Sequence, residues 1–136
     1  MVLRLLVMFV ALCHVFVHAA DIVVTKSGAV KSSVDTAGLM LQGDVDAQTF
    51  RRTLENDLVR SGWFTIAGAG QGMLALFGAQ DSGGTRFALR CGVRNTAMGK
   101  QFMDEKYRDD GQGVRGLAHR VADDIVFAVR GVKGFA

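Results

Sequence analysis

Proline is missing from all 136 residues of this chain, so slow X–Pro isomerisation cannot limit its folding. Cysteine is almost missing. Cys13 lies in an apolar N-terminal run and only Cys91 remains beyond it, which leaves the rest of the chain without an internal disulfide and makes stability depend on a packed core. Histidine is scarce where it could act: His14 and His18 fall in the same N-terminal run, and His119 stands alone after residue 19. Zinc wants three or four ligands, and one His, one Cys and scattered carboxylates have no recognised spacing. An excess of one charge is lacking too. Sixteen Lys and Arg against 13 Asp and Glu give a formal net charge of +3, too weak a bias to argue for a nucleic-acid partner. No low-complexity tract or internal repeat is present.

What is present begins with a leader. Arg4 supplies one positive charge, residues 5–17 are an apolar run, and His18-Ala19-Ala20 ends it with small residues. This reads as a secretory signal peptide over residues 1–19, cleaved near Ala19 or Ala20, because the run is too short to span a bilayer comfortably. Leu12 precedes Cys13, where a lipidation site wants Gly, Ala or Ser, so lipidation is not expected. The expected product, residues 20–136, has the size of one compact domain, exported to the periplasm without stable membrane insertion and without a cofactor.

The periodicities predict strands near residues 21–26 and 38–42, with a polar, glycine-punctuated and mobile stretch over 27–36. Asp46 is expected to cap a helix over residues 47–61, with Phe50, Leu54 and Leu58 on its buried face. Strands follow at residues 63–66, at 73–79 (almost uniformly apolar, hence central) and at 85–94, which is paired through a hairpin with 101–108. In residues 85–94, Phe87, Leu89, Cys91 and Val93 alternate with Arg86, Arg90 and Arg94. A last helix carries Val114, Leu117, Ala118, Val121, Ile125 and Ala128 on one stripe, with His119 and Asp123, and Arg120 and Asp124, four apart on its polar side. The sum is an α+β, two-layer sandwich: a mixed β-sheet with two α-helices packed on one face.

Few of these residues promise chemistry. His119 with Asp123 is the only pair of acid–base type, and it lacks a nucleophile or metal at any evident spacing, so it reads as structural and the chain as a non-enzyme. Gly68-Ala69-Gly70-Gln71-Gly72 runs into a strand rather than opening a helix, so it is a loop and not a dinucleotide site. Cys91 falls on an apolar face and reads as core. Arg86, Arg90 and Arg94, joined by Lys106 and Arg108, form either a secondary binding surface for an acidic partner or an ordinary solvated sheet face, with Arg90 paired to Asp104. The segment Ile22-Val23-Val24 suits either pairing in the domain's own sheet or strand addition to a partner.

The residues Ala118, His119, Arg120, Val121, Ala122 and Asp123, followed by Gly131, Lys133, Gly134 and Phe135, resemble the end of the N-terminal domain in the TolB family of the Tol–Pal envelope system. The order and spacing of the remaining elements are similar to that domain over residues 20–136; the family's β-propeller lies outside the resemblance. The resemblance implies a two-helix, one-sheet domain with no catalytic role. It implies that residues 20–33 form a mobile N-terminal box that engages the C-terminal domain of a TolA-like protein. The expected contact residues are then Asp21, Ile22, Val23, Val24, Thr25, Lys26, Ser27 and Gly28, with Ser27-Gly28 matching a Ser-Gly of the family box. The implied role is docking, by a monomer, within the machinery that maintains outer-membrane integrity and constriction at cell division. The alternative expectation is a periplasmic regulator of cell-wall synthesis that binds through the arginine-rich sheet face.

Overall fold

The computed structural model describes residues 30–133. The elements run β1 (Ser32–Asp35), β2 (Leu39–Met40), α1 (Val45–Arg60), β3 (Phe64–Ala67), β4 (Leu74–Asp81), β5 (Ala88–Asn95), β6 (Gln101–Arg108) and α2 (Gly113–Arg130). The strands form one mixed sheet in the order β3-β1-β4-β5-β6, with β2 also on β4. β1 is parallel to both β3 and β4, while β4, β5 and β6 form an antiparallel meander. Among the described residues, two helices and a mixed, open sheet make the expected α+β sandwich.

The core is built where the two periodicities meet. Phe50, Leu54 and Leu58 from α1 and Leu117, Val121 and Ile125 from α2 close over Val34, Leu76, Leu89 and Val93 of the sheet, each almost fully buried. Four-residue spacing on the helices and two-residue spacing on the strands produce these faces. β4 is central, as its apolar run predicts.

The differences from the sequence reading that matter most are at β1, at the cap of α1 and at the start of β5. The first described strand lies at Ser32–Asp35, inside the stretch read as polar and mobile; residues 21–26 lie outside the described residues. β1 sits between two parallel neighbours, so its backbone is paired on both edges, and its polar side chains each meet a partner. The Ser33 hydroxyl accepts from the Met73 amide (3.0 Å). The Asp35 carboxylate accepts from the amides of Gly70 (2.6 Å) and Ala37 (2.8 Å). Those two amides hold the Asp35 carboxyl below its ordinary value. Only Val34 enters the core, and one apolar residue in four is too weak a signal to read.

The cap of α1 is Asp44 rather than Asp46: its carboxylate accepts from the Ala47 amide at 2.7 Å. Asp46 instead lies in the first turn, where a negative charge meets the positive end of the helix dipole. β5 begins at Ala88, so Phe87 and Arg86 precede it; Phe87 still packs on Phe50, with ring centroids 5.5 Å apart. At the far end, α2 closes on Gly131 at φ 69°, whose amide donates to the Phe127 carbonyl (2.8 Å). This is the left-handed exit that the glycine there predicts.

Candidate functional site

The segment expected to meet a partner, Asp21, Ile22, Val23, Val24, Thr25, Lys26, Ser27 and Gly28, lies outside the described residues. What the structure shows is how the chain is gripped just after it. The Arg130 guanidinium, in the last turn of α2, donates to the Ser32 hydroxyl (2.8 Å), the Val30 carbonyl (3.3 Å) and the Trp63 carbonyl (3.4 Å). Its central carbon stands 5.2 Å from the Trp63 ring centroid and 5.8 Å from that of Phe64. Arg130 thus bolts the end of α2 to the starts of β1 and β3, stacked on an aromatic face where a cation is favoured. Ser32 also donates its amide to the Trp63 carbonyl, so the first two residues of β1 belong to the sheet rather than to a free box. Sequence reasoning missed Arg130. Its only cue was a basic residue in the last helical turn, which most helices share.

The arginines are brought together only in part. Arg90 and Arg94 point from β5 to the face away from the helices, but Arg86 lies in the loop before the strand. Arg90 forms a two-pronged ion pair with Asp104 of β6, one prong being Nε to Oδ1 at 2.7 Å. That pairing raises the guanidinium further and lowers the Asp104 carboxyl, in each case chiefly through the hydrogen bond between them. Arg94 lies over the Phe77 ring at 5.6 Å, and Lys106 is directly opposite Arg90. The sheet face is basic, but its central charge is already balanced.

His119 meets a carboxylate that its spacing along the helix does not suggest. Its Nδ1 is 2.5 Å from Oδ2 of Asp57, a nearly buried carboxylate on α1. Asp57 is 62 residues away in sequence, and helix packing brings the two together. In the neighbouring four-residue pair, Arg120 bonds Asp110 (2.7 Å) and Asp124 accepts from the Tyr107 hydroxyl (2.9 Å). Asp57, His119 and Asp123 line a cleft of about 140 Å³ between the helices, together with Arg60 and Ser61. An imidazole oriented by a carboxylate is two-thirds of a nucleophilic constellation. The third part is not in place: the Ser61 hydroxyl donates to the Leu58 carbonyl (2.6 Å) and accepts from the Trp63 amide. Among the described residues no group of three His, Cys, Asp or Glu is placed to hold a metal.

Of the other motif residues, Ala118 is fully buried in the core, Gly131 is the helix cap, Lys133 is exposed, and Gly134 and Phe135 lie outside the described residues. Cys91 is buried, as its strand face predicts. Burial, with the Asp104 carboxylate adding to it, pushes its thiol up to about 12 from 9.0. A raised value means that folding favours the neutral thiol; that stability is present below about pH 9 and is lost as pH climbs toward 12. Alkylation at pH 8 is therefore expected to be at least a hundred-fold slower in the native protein than in denaturant. Mass spectrometry after brief iodoacetamide treatment checks this, and rapid native labelling would contradict the buried assignment.

No protein-family model and no curated protein matches this chain, but solved structures do. Over 77% of its length it superposes on TolB from Acinetobacter baumannii with a TM-score of 0.64 at 15% identity, covering 30% of that protein. The chain shares its fold with part of TolB. It thus spans less than a third of the length of that TolB. Protein XCC0632 from Xanthomonas campestris matches over 75% of this chain and 88% of its own (TM-score 0.56, 6% identity). The hypothetical protein CT253 from Chlamydia trachomatis matches over 74% and 97% (TM-score 0.51, 11% identity). At these identities the likeness to TolB and to the other two is a likeness of fold. Among the described residues no helix is long and apolar enough to cross a membrane.

Proposed function

We propose that this protein is a non-enzymatic docking module of the cell envelope, exported to the periplasm, which presents the segment before β1 to a TolA-like partner. The observation that carries the reading is the fold shared with TolB, joined to the resemblance of residues 118–123 and 131–135 to its N-terminal domain. The anchoring of Val30 and Ser32 by Arg130 supports it mechanically. A rigid sandwich holds the root of the segment, and Ile22-Val23-Val24 supplies apolar residues and backbone groups suited to strand addition. Ordering such a segment opposes binding by roughly 1–2 kcal/mol per residue fixed, so the expected affinity is modest and readily reversible.

The arginine face is the weaker alternative, because Arg90 already has Asp104 and Arg86 stands off the strand. The His119–Asp57 pair is read as helix packing, since the cleft lacks an available nucleophile.

Calorimetric titration against a TolA C-terminal domain from the same cell tests the proposal. The shortened chain should lose residues 20–29 and keep β1, because Ser32 and Ser33 are part of the sheet. Binding by the full domain and its loss on shortening, at least ten-fold in Kd, is the expected result. Equal binding by both forms would move the contact elsewhere on the domain. No binding by either would remove the Tol-system reading while leaving the fold intact.

A further inference from the structure

β6 is the last strand of the sheet, and no described strand pairs with its outer edge. Proteins usually protect such an edge with a short strand, a proline, a bulge or charged side chains, which repel a strand that cannot match them. β6 is eight residues long and has no proline, and its bulge is confined to its start, where Phe102 is skipped between Val93↔Met103 and Arg94↔Gln101. Its charges are of both signs.

The backbone alternation of β6 is fixed by its inner neighbour. The Asp109 amide donates to the Phe87 carbonyl, and the register continues through Leu89↔Tyr107, Cys91↔Glu105 and Val93↔Met103. In an antiparallel ladder hydrogen-bonded pairs recur every second residue. Met103, Glu105 and Tyr107 therefore direct their backbone groups to β5, and Asp104, Lys106 and Arg108 direct theirs to the open edge.

We infer that this edge is a self-complementary interface, on which β6 of a second copy pairs antiparallel about a two-fold axis at Glu105. That register places Asp104 opposite Lys106 of the second copy, twice, between residues whose backbone groups already face outward. It places Met103 opposite Tyr107 on the helix side. An axis at Asp104 would oppose two aspartates, and an axis at Lys106 would oppose two lysines. An axis between residues would pair side chains on opposite faces, which antiparallel strands do not do. The remaining unfavourable contact is Glu105 with itself.

The helix layer fits the same axis. Because the two-fold is normal to the sheet, both copies of α2 lie on one side of the extended sheet. Phe127 is 58% exposed on the rim of a groove of about 460 Å³ between α2 and β6, which Met103 and Ala128 also line. The second copy's helix closes that groove. The inference is independent of the docking role of the N-terminal segment and replaces the expected monomer with a reversible dimer.

The test is sedimentation equilibrium of the chain from residue 20, which keeps every core residue among the described ones, Val34 to Val126. The unmodified chain is expected to dimerise. Asp104→Lys and Lys106→Asp should each weaken dimerisation by about ten-fold or more, since either one opposes like charges twice. An equimolar mixture of the two variants should recover it, because the exchanged charges then face each other across the seam. Glu105→Gln, which leaves the Arg90–Asp104 pair alone, should tighten the dimer several-fold, and it stands as the test should Asp104→Lys fail to fold. A chain that stays monomeric at millimolar concentration, a mixture no better than its components, or a Glu105→Gln variant that is unchanged or weaker would each overturn the inference.

Discussion

Arg130→Ala is expected to lower the unfolding free energy by about 2–4 kcal/mol. The removed guanidinium makes hydrogen bonds of roughly 1–2 kcal/mol with neutral acceptors, together with aromatic stacking of similar size. It is also half-buried, so its stem leaves a gap against Trp63. The buried Nε has no acceptor, which offsets a part of the gain and keeps the expectation below the sum of the contacts. With a urea slope of about 1–1.5 kcal/mol/M for a domain of this size, the midpoint should fall by about 2 M. Arg130→Lys should recover little. A compact ammonium cannot lie flat on the indole as the planar guanidinium does. The loss should also be local: amide exchange at Ser32 and Ser33 should quicken before that of β4. A midpoint shift under about 0.5 M, or full recovery by lysine, would show that Arg130 is not what anchors the start of β1.

Gly78→Ala is expected to be more damaging still. Gly78 sits in the middle of β4 with φ 130°, a conformation that side-chain-bearing residues rarely adopt. It pairs with Cys91 on one side and Leu39 on the other. A Cβ built there would stand 2.0 Å from the Arg90 carbonyl oxygen and 2.7 Å from its carbon. Both are backbone atoms of a central pairing, so no rotamer change relieves the clash. Relief requires the β4–β5 ladder to move. A cost above about 3 kcal/mol follows, against a total stability of about 5–15 kcal/mol for an ordinary domain. Thermal melts should drop by more than about 10 °C, or the protein should fail to accumulate. Gly43→Ala is the control, since nothing lies within 4 Å of its added Cβ and its φ is not positive. Similar melts for the two variants would refute the argument from close approach.

Gly78 also shows where sequence reading runs out. Met73 to Ala79 announces a buried strand through its apolar run, and the structure puts β4 in the centre of the sheet. Nothing in that run distinguishes Gly78 from a small filler residue. Its necessity comes from Arg90, twelve residues on, which only the hairpin brings close. Likewise His119 and Asp123 have helical spacing that suggests a pair, but the carboxylate held at 2.5 Å is Asp57. Local spacing can nominate neighbours along one helix; it carries no information about which helix packs beside it.

The sequence by itself determined the two helices, the hairpin of β5 and β6, the central place of β4, the burial of Cys91 and the layer that covers it. Each of these is written in a run of residues with period 3.6 or 2, and burial of one face follows from that pattern alone. The position of β1 was decided only by tertiary structure. Ser32, Ser33 and Asp35 are poor strand formers in isolation, and they become a central strand because Arg130, Met73, Gly70 and Ala37 supply partners for their polar groups. The same holds for the grip on the chain before β1 and for the outward edge of β6. Both depend on which residues, distant in sequence, the packed core leaves side by side.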